Sequence, residues 1–192
     1  MHVLGDPQVS GATAAPRHEE ERLRITHSRT GPRGSSAALA RAHVGDWHEQ
    51  RVAQALQHSG WTVQPCGQAT YPTAIQNALR RTRSTLRQFP DLIAARGAEL
   101  VTIDAEDRMP STHTSRYAIS AATVNAGLLF TATHAPTPLY YVLGDMRVLT
   151  PAEVLHHTVH ALRHRSGAYH LVSSHQAHPF DEVFGLAATR AA

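Results

Sequence analysis

The sequence predicts an α/β fold in which a central mixed sheet is flanked by helices. Three observations predict it. Two amphipathic helical stretches precede a tight β-hairpin, an apolar strand lies beyond a further helical stretch, and strand, crossover helix and strand in that order make a βαβ unit. With 192 residues, 42% of them apolar, the chain is long enough for one packed core and a tail.

Residues 1–43 are rich in Gly, Pro, Ser and Thr with mixed charge, hold a short helical stretch around Glu19 to Ile25, and offer little to bury. They are expected to form a flexible N-terminal tail; a basic arm touching DNA is the functional alternative. The folded domain is expected over 44–186, with a short C-terminal tail at 187–192. Asp46 is a credible N-cap for a first helix in which Trp47, Val52, Ala53 and Leu56 recur at helical spacing until Gly60. A short strand, Trp61 to Val63, should follow. Residues 73–89 read as a second helix, with Ile75, Leu79, Thr82 and Leu86 on one stripe and arginines on another.

Pro90 ends that helix. Two apolar runs come next, Asp91 to Ala95 and Leu100 to Asp104, joined through Gly97 and Ala98 as a type II′ hairpin with glycine first. Arg116 to His134 reads as a helix and Leu139 to Leu143 as a strand buried on both faces. Thr150, Pro151 and Glu153 spell the opening of another helix: N-cap, proline at the first helical position, and the acid that closes a capping box. A last strand covers Tyr169 to Val172, ahead of the stretch Pro179 to Phe184.

Charge and cysteine usage narrow the function. The formal charge is +3, and every one of the 18 basic residues is arginine. Arginine suits bidentate contacts to phosphate, so nucleic acid is a compatible partner. Cys66 is the single cysteine, which excludes an internal disulfide, a CxxC pair and a multi-cysteine zinc site, and fits a reducing cytoplasm. The N-terminus lacks a basic start followed by an apolar run, and no stretch approaches the ~20 apolar residues of a membrane span. A soluble, unexported, cytoplasmic protein is expected.

The chemistry concentrates at the base of the hairpin. If Gly97 and Ala98 are the loop, Arg96 pairs with Glu99, and counting back along both strands sets Asp91 opposite Asp104. Opposed residues share a face with Cβ atoms roughly 4.5 to 5.5 Å apart, and Glu106 projects to the same face. Three carboxylates in one spot repel one another unless a cation lies between them, and Mg²⁺ (or Mn²⁺) prefers such oxygen ligands.

Pro90-Asp91, a hairpin, then Asp104-Ala105-Glu106 resembles the PD-(D/E)XK signature of restriction endonuclease-like nucleases. That core runs α-β-β-β-α-β, and the elements read from Asp46 to Leu143, about 100 residues, follow this order with the arginine-rich helix inserted after the first strand. The resemblance implies a metal-dependent nuclease that hydrolyses DNA phosphodiester bonds, with Asp91 and Asp104 as metal ligands. It also matches Glu49 to the acid that many members place on the first helix, although Glu49 lies three residues after Asp46 and fits a capping box as well.

Glu106 stands where the family has lysine, and no other lysine exists to replace it. Three readings stay open: Glu106 is a ligand or general base, Arg108 on the same strand face stabilises the transition state, or the site is an inactive one that still binds DNA. Arg80, Arg81, Arg83 and Arg87 gather four charges on one helix before the hairpin and are expected to hold DNA phosphates. His156, His160 and His164 recur every four residues and read as the polar face of a helix; His113 follows the hairpin as a distant candidate proton donor. Cutting both strands of a duplex calls for a homodimer or two sequential events, and the sequence identifies no interface.

Overall fold

The computed structural model describes residues 36–82, 89–164 and 167–186, with side chains described from residue 47 onward. Helix α1 spans Ser36–His58. It therefore starts well before Asp46, through an alanine-rich run of high helix propensity. Asp46 is not its N-cap, and Glu49 closes no capping box. Gly60, with φ +80°, ends the helix in a Schellman turn in which Trp61 N–H reaches back to Leu56 C=O at 3.0 Å.

Strand β1 (Thr62–Pro65) leads to helix α2 (Thr73–Arg81). The expected helix over 73–89 stops early, because Thr82 adopts extended backbone as its C-cap. Strands β2 (Leu92–Arg96) and β3 (Glu99–Glu106) form the hairpin. Its register is the one the loop predicts: Arg96 pairs with Glu99, Ala94 with Val101 and Leu92 with Ile103. Gly97 has φ +61° and supplies the conformation a type II′ turn demands at that position.

Residues Arg116–Ser120 are strand β4, not the first turns of a helix. The helix α3 (Ala121–Thr133) begins only where the Ser120 side chain caps Ala122 N–H at 3.2 Å. Tyr117 and Ile119 explain the difference: they alternate inward at 0% and 1% exposure, a two-residue period that a helix cannot place in one core. Beyond α3 come β5 (Leu139–Leu143), β6 (Arg147–Leu149), α4 (Pro151–His156), β7 (Thr158–His164), β8 (Gly167–Ser173), β9 (His178–Pro179) and α5 (Phe180–Phe184). Because α4 ends at His156, the three histidines share no helix; His160 and His164 sit on β7. The capping box of α4 is present as read, with Glu153 N–H to Thr150 Oγ1 at 3.2 Å and Thr150 N–H to a Glu153 oxygen at 2.7 Å.

The main sheet has six strands in the order β1-β2-β3-β5-β6-β9, and a second sheet has the order β4-β8-β7. β1, β2 and β3 run antiparallel, and β3 pairs in parallel with β5, so β3, α3 and β5 close the expected crossover. This is the α/β architecture anticipated, a central mixed sheet flanked by helices in the order α-β-β-β-α-β, with α2 inserted after β1 and β4 ahead of α3.

Alternation along β5 shows how the sheet is buried on both faces. Val142 joins Val52, Leu56, Leu92, Ile103 and Phe184 under α1 and α5. Leu139, Tyr141 and Leu143 point the other way, into a cluster with Tyr117, Val124 and Val154. Each fully buried aliphatic side chain contributes about 1.5 to 3 kcal/mol, so these two layers fix the strands that carry the acids. No helix among the described residues is long and apolar enough to cross a membrane.

Candidate active site

Asp91 sits one residue before β2, where β1 and the hairpin meet. Its carbonyl accepts from Cys66 N–H at 2.8 Å and Gly67 N–H at 3.0 Å, and its side chain accepts from Ala105 N–H at 3.0 Å. These bonds clamp the residue against β3. Space is tight as well: a Cβ on Gly67 would lie 2.7 Å from Asp91 Oδ1 and 3.0 Å from its Cα.

Across the hairpin the Asp104 carboxyl is hydrogen-bonded to that of Asp91, as the register requires. Burial, then the charges of Asp91 and Glu106 and the hydrogen bond itself, push Asp104 well above the usual carboxylate range. Burial also raises Asp91, against the opposing pull of Ala105 N–H, the bond from Asp104 and nearby His48. Burial raises Glu106 too; Arg108 and a hydrogen bond from the Thr123 hydroxyl act to lower it, while Asp91 adds repulsion.

The third acid is therefore held from two sides. Thr123 lies in the first turn of α3, and its hydroxyl hydrogen-bonds the Glu106 carboxylate. Arg108 is not on the strand, which ends at Glu106. Arg108 N–H turns back to Glu106 C=O at 2.6 Å, and its Nε lies 3.7 Å from the Glu106 carboxylate. Tyr141, opposite Asp104 in the parallel register, donates to Thr123 C=O at 2.9 Å and so braces α3 beside the acids. Gly127 permits that approach, since an added methyl would overlap the Tyr141 hydroxyl.

Helix α1 contributes from the other side. His48 is fully buried and donates from Nε2 to Val142 C=O at 3.0 Å, which pins α1 across β5. The next residue, Glu49, then lies close enough to Asp104 and Cys66 to raise both. The Cys66 thiol donates to Pro90 C=O at 3.2 Å, and burial, with Asp91 and Glu49, pushes it up to about 11; it is a neutral structural thiol at physiological pH.

The remaining expected residues divide. Arg80 and Arg81 are exposed in the last turn of α2. Arg83 and Arg87 lie outside the described residues. His113 is exposed in the turn before β4, with no described contact to the acids. Gly67, Thr123, Tyr141 and His48 carried no motif in the sequence, because each acts through a partner distant along the chain. Among the described residues, no group of three or more His, Cys, Asp or Glu side chains stands in a ready-made metal cage. The donors that do gather are carboxyl oxygens, the kind of ligand a hard divalent cation takes.

Fold and site together define an α/β domain with a half-buried carboxylate cluster at the end of its central strands. Two solved structures are similar to it. A Holliday junction resolvase, Hjc, from Archaeoglobus fulgidus matches with TM-score 0.47 and 14% identity over 73% of this chain and 100% of that one. A nuclease from a fusselovirus matches with TM-score 0.41 and 11% identity over 77% of this chain and 90% of that one. No family model matches the sequence, and no curated protein matches it.

Proposed function

We propose that this chain is a metal-dependent nuclease that hydrolyses DNA phosphodiester bonds. The observation that carries the reading is the convergence of the Asp91 and Asp104 carboxyls across the hairpin, with Glu106 beside them at the end of β3. Like charges set this close destabilise a fold unless a cation offsets them, and all three acids are oxygen donors suited to Mg²⁺ or Mn²⁺. Asp91 and Asp104 would hold the ion, with Glu106 and Glu49 at its margin. When bound, the cation supplies the Lewis acidity and positive charge that the missing lysine does not.

The protein's own groups do the rest. Glu106, held in place by Thr123 and offset by Arg108, accepts the proton of the attacking water at a carboxylate oxygen as the water oxygen bonds to phosphorus and the opposite P–O bond breaks. Arg80 and Arg81 contact flanking phosphates from α2. The lone cysteine accords with a reducing, cytoplasmic setting. Cutting both strands of a duplex uses a homodimer or two successive events.

A second reading is a non-catalytic DNA-binding domain on the same fold, and Glu106 at the lysine position favours it. Incubating plasmid with the full chain and Mg²⁺ or Mn²⁺ decides between them. Cleavage that is lost in Asp91→Ala and in Glu106→Gln supports the nuclease; retained DNA binding with no cutting under either metal refutes it.

A further inference from the structure

Trp47 is 58% exposed, an unusual position for the largest side chain of a small domain. It lies one turn before Arg51, whose guanidinium carbon sits 5.1 Å from the indole centroid in a cation–π contact. Arg51 Nη2 also donates to Gly144 C=O. Gly144 N–H in turn donates to Arg108 C=O at 3.0 Å, and a Cβ on Gly144 would lie 3.0 Å from Met109 Sδ. Arg108 reaches Glu106 at 3.7 Å. An unbroken run of contacts thus leads from an exposed aromatic ring to the edge of the acid cluster. Met109, beside Arg108, is 63% exposed.

We infer that Trp47 and Arg51 form a stacking platform for an unpaired DNA base adjacent to the bond that is cut, with Arg51 and Arg108 facing its phosphates. This rests on the nuclease reading of the acids for its position beside the scissile bond, and it specifies the substrate class. Within a duplex both faces of a base are stacked on its neighbours, so only a splayed or single-stranded base can lie on an indole. Arg51 lies over the ring and supplies charge, and the exposed part of the indole offers the surface on which a base would stack. Met109 is an apolar side chain of the kind that wedges between bases where a duplex opens. The substrate is therefore a strand with an unpaired nucleotide at the cutting site, not a continuous duplex.

Tryptophan fluorescence reads this directly, because the other tryptophan, Trp61, is only 5% exposed. The full chain in EDTA is titrated with a mixed-sequence single-stranded oligonucleotide and with the same sequence as a blunt duplex, while anisotropy of a labelled oligonucleotide reports binding. The single strand is expected to quench fluorescence and the duplex to do so much less. Trp47→Ala should weaken single-strand binding by roughly 5- to 100-fold at any salt concentration, and Trp47→Phe by much less, since stacking survives. Arg51→Ala should weaken it mainly at low salt. Binding without quenching, or wild-type affinity in Trp47→Ala, overturns the platform. So does a concentration-dependent blue shift without DNA, which would assign the patch to contact between copies. Metal-dependent cleavage that needs Asp91 but leaves Trp47 fluorescence unchanged overturns the platform alone. Quenching by single strands without any cleavage overturns the nuclease reading and, with it, the placement beside a scissile bond.

Discussion

Replacing Gly67 with alanine tests how the first acid is positioned. Gly67 has φ −65° and ψ 174°, so alanine meets no backbone conflict there. The conflict is with Asp91: the new Cβ would lie 2.7 Å from Oδ1 and 3.0 Å from Cα, against 3.4 Å for ordinary contact, shortfalls of 0.7 and 0.4 Å. Asp91 cannot retreat as a unit, because its carbonyl is held by two N–H groups and its other carboxylate oxygen by Ala105 N–H. The carboxylate must rotate away. Overpacking of this kind costs about 1 to 3 kcal/mol, and removing a glycine from the unfolded chain returns about 0.4 to 1 kcal/mol. A net loss on the order of 1 to 2 kcal/mol lowers Tm in EDTA by roughly 2 to 8 °C. Metal ligands tolerate displacements of about 0.2 Å, so Mn²⁺ affinity should fall about 10- to 100-fold, and cleavage with it. Calorimetric Mn²⁺ titration and thermal melts in EDTA measure the two effects separately. Wild-type Mn²⁺ affinity in Gly67→Ala would refute the reasoning, since it would mean that the loop yields and the carboxylate does not depend on it.

Three further outcomes are expected. Asp104→Asn should raise Tm in EDTA while abolishing stabilisation by Mg²⁺. The acids' folded pKa values are raised, chiefly by burial, so their protonated forms stabilise the fold below the unfolded carboxylate range. That contribution is lost as pH rises through the folded values, and the gain from Asp104→Asn should grow over that rise; melts across a pH series check it. Thr123→Val keeps the shape of α3 but removes the hydroxyl that holds Glu106, so cleavage should drop about 10- to 100-fold with the fold intact, and Thr123→Ser should restore it. Thr150→Ala removes the α4 cap and should cost about 1 kcal/mol in urea unfolding. Burial raises the partner acid Glu153, but hydrogen bonds from Thr150 and His178 outweigh it and leave Glu153 lowered. Its stabilisation is present above the unfolded glutamate pKa and is lost as pH falls through the folded value, so the effect of Thr150→Ala should shrink there.

Local chemistry was legible wherever it dictated geometry. Gly97 and Ala98 can serve as a two-residue loop in only one register, and that register, continued one pair past Leu92 and Ile103, sets Asp91 against Asp104. Thr150, Pro151 and Glu153 announced α4 for the same reason. What was not legible depended on partners far along the chain. Residues Arg116–Ser120 lead into α3 with no breaker between them, and only pairing with β8 reveals the strand. His156, His160 and His164 fit a helical spacing, but β7 pairs with β8 and interrupts it. Thr123 and Gly67 are unremarkable residues in sequence and acquire a role only where the fold sets them against Glu106 and Asp91.

The far end of β3 is built for a different purpose. Arg96 stacks on Trp61 at 4.4 Å and donates to the carbonyls of Ser59, Phe184 and Gly185, fastening the hairpin tip to the end of α1 and to α5. Five residues of strand, roughly 17 Å, separate that fastening from Asp91 and Asp104, and seven, roughly 23 Å, separate it from Glu106. The fastening and the acids thus occupy opposite ends of one hairpin. Substitutions near Arg96 should therefore harden or soften the scaffold with little effect on the geometry of the acids.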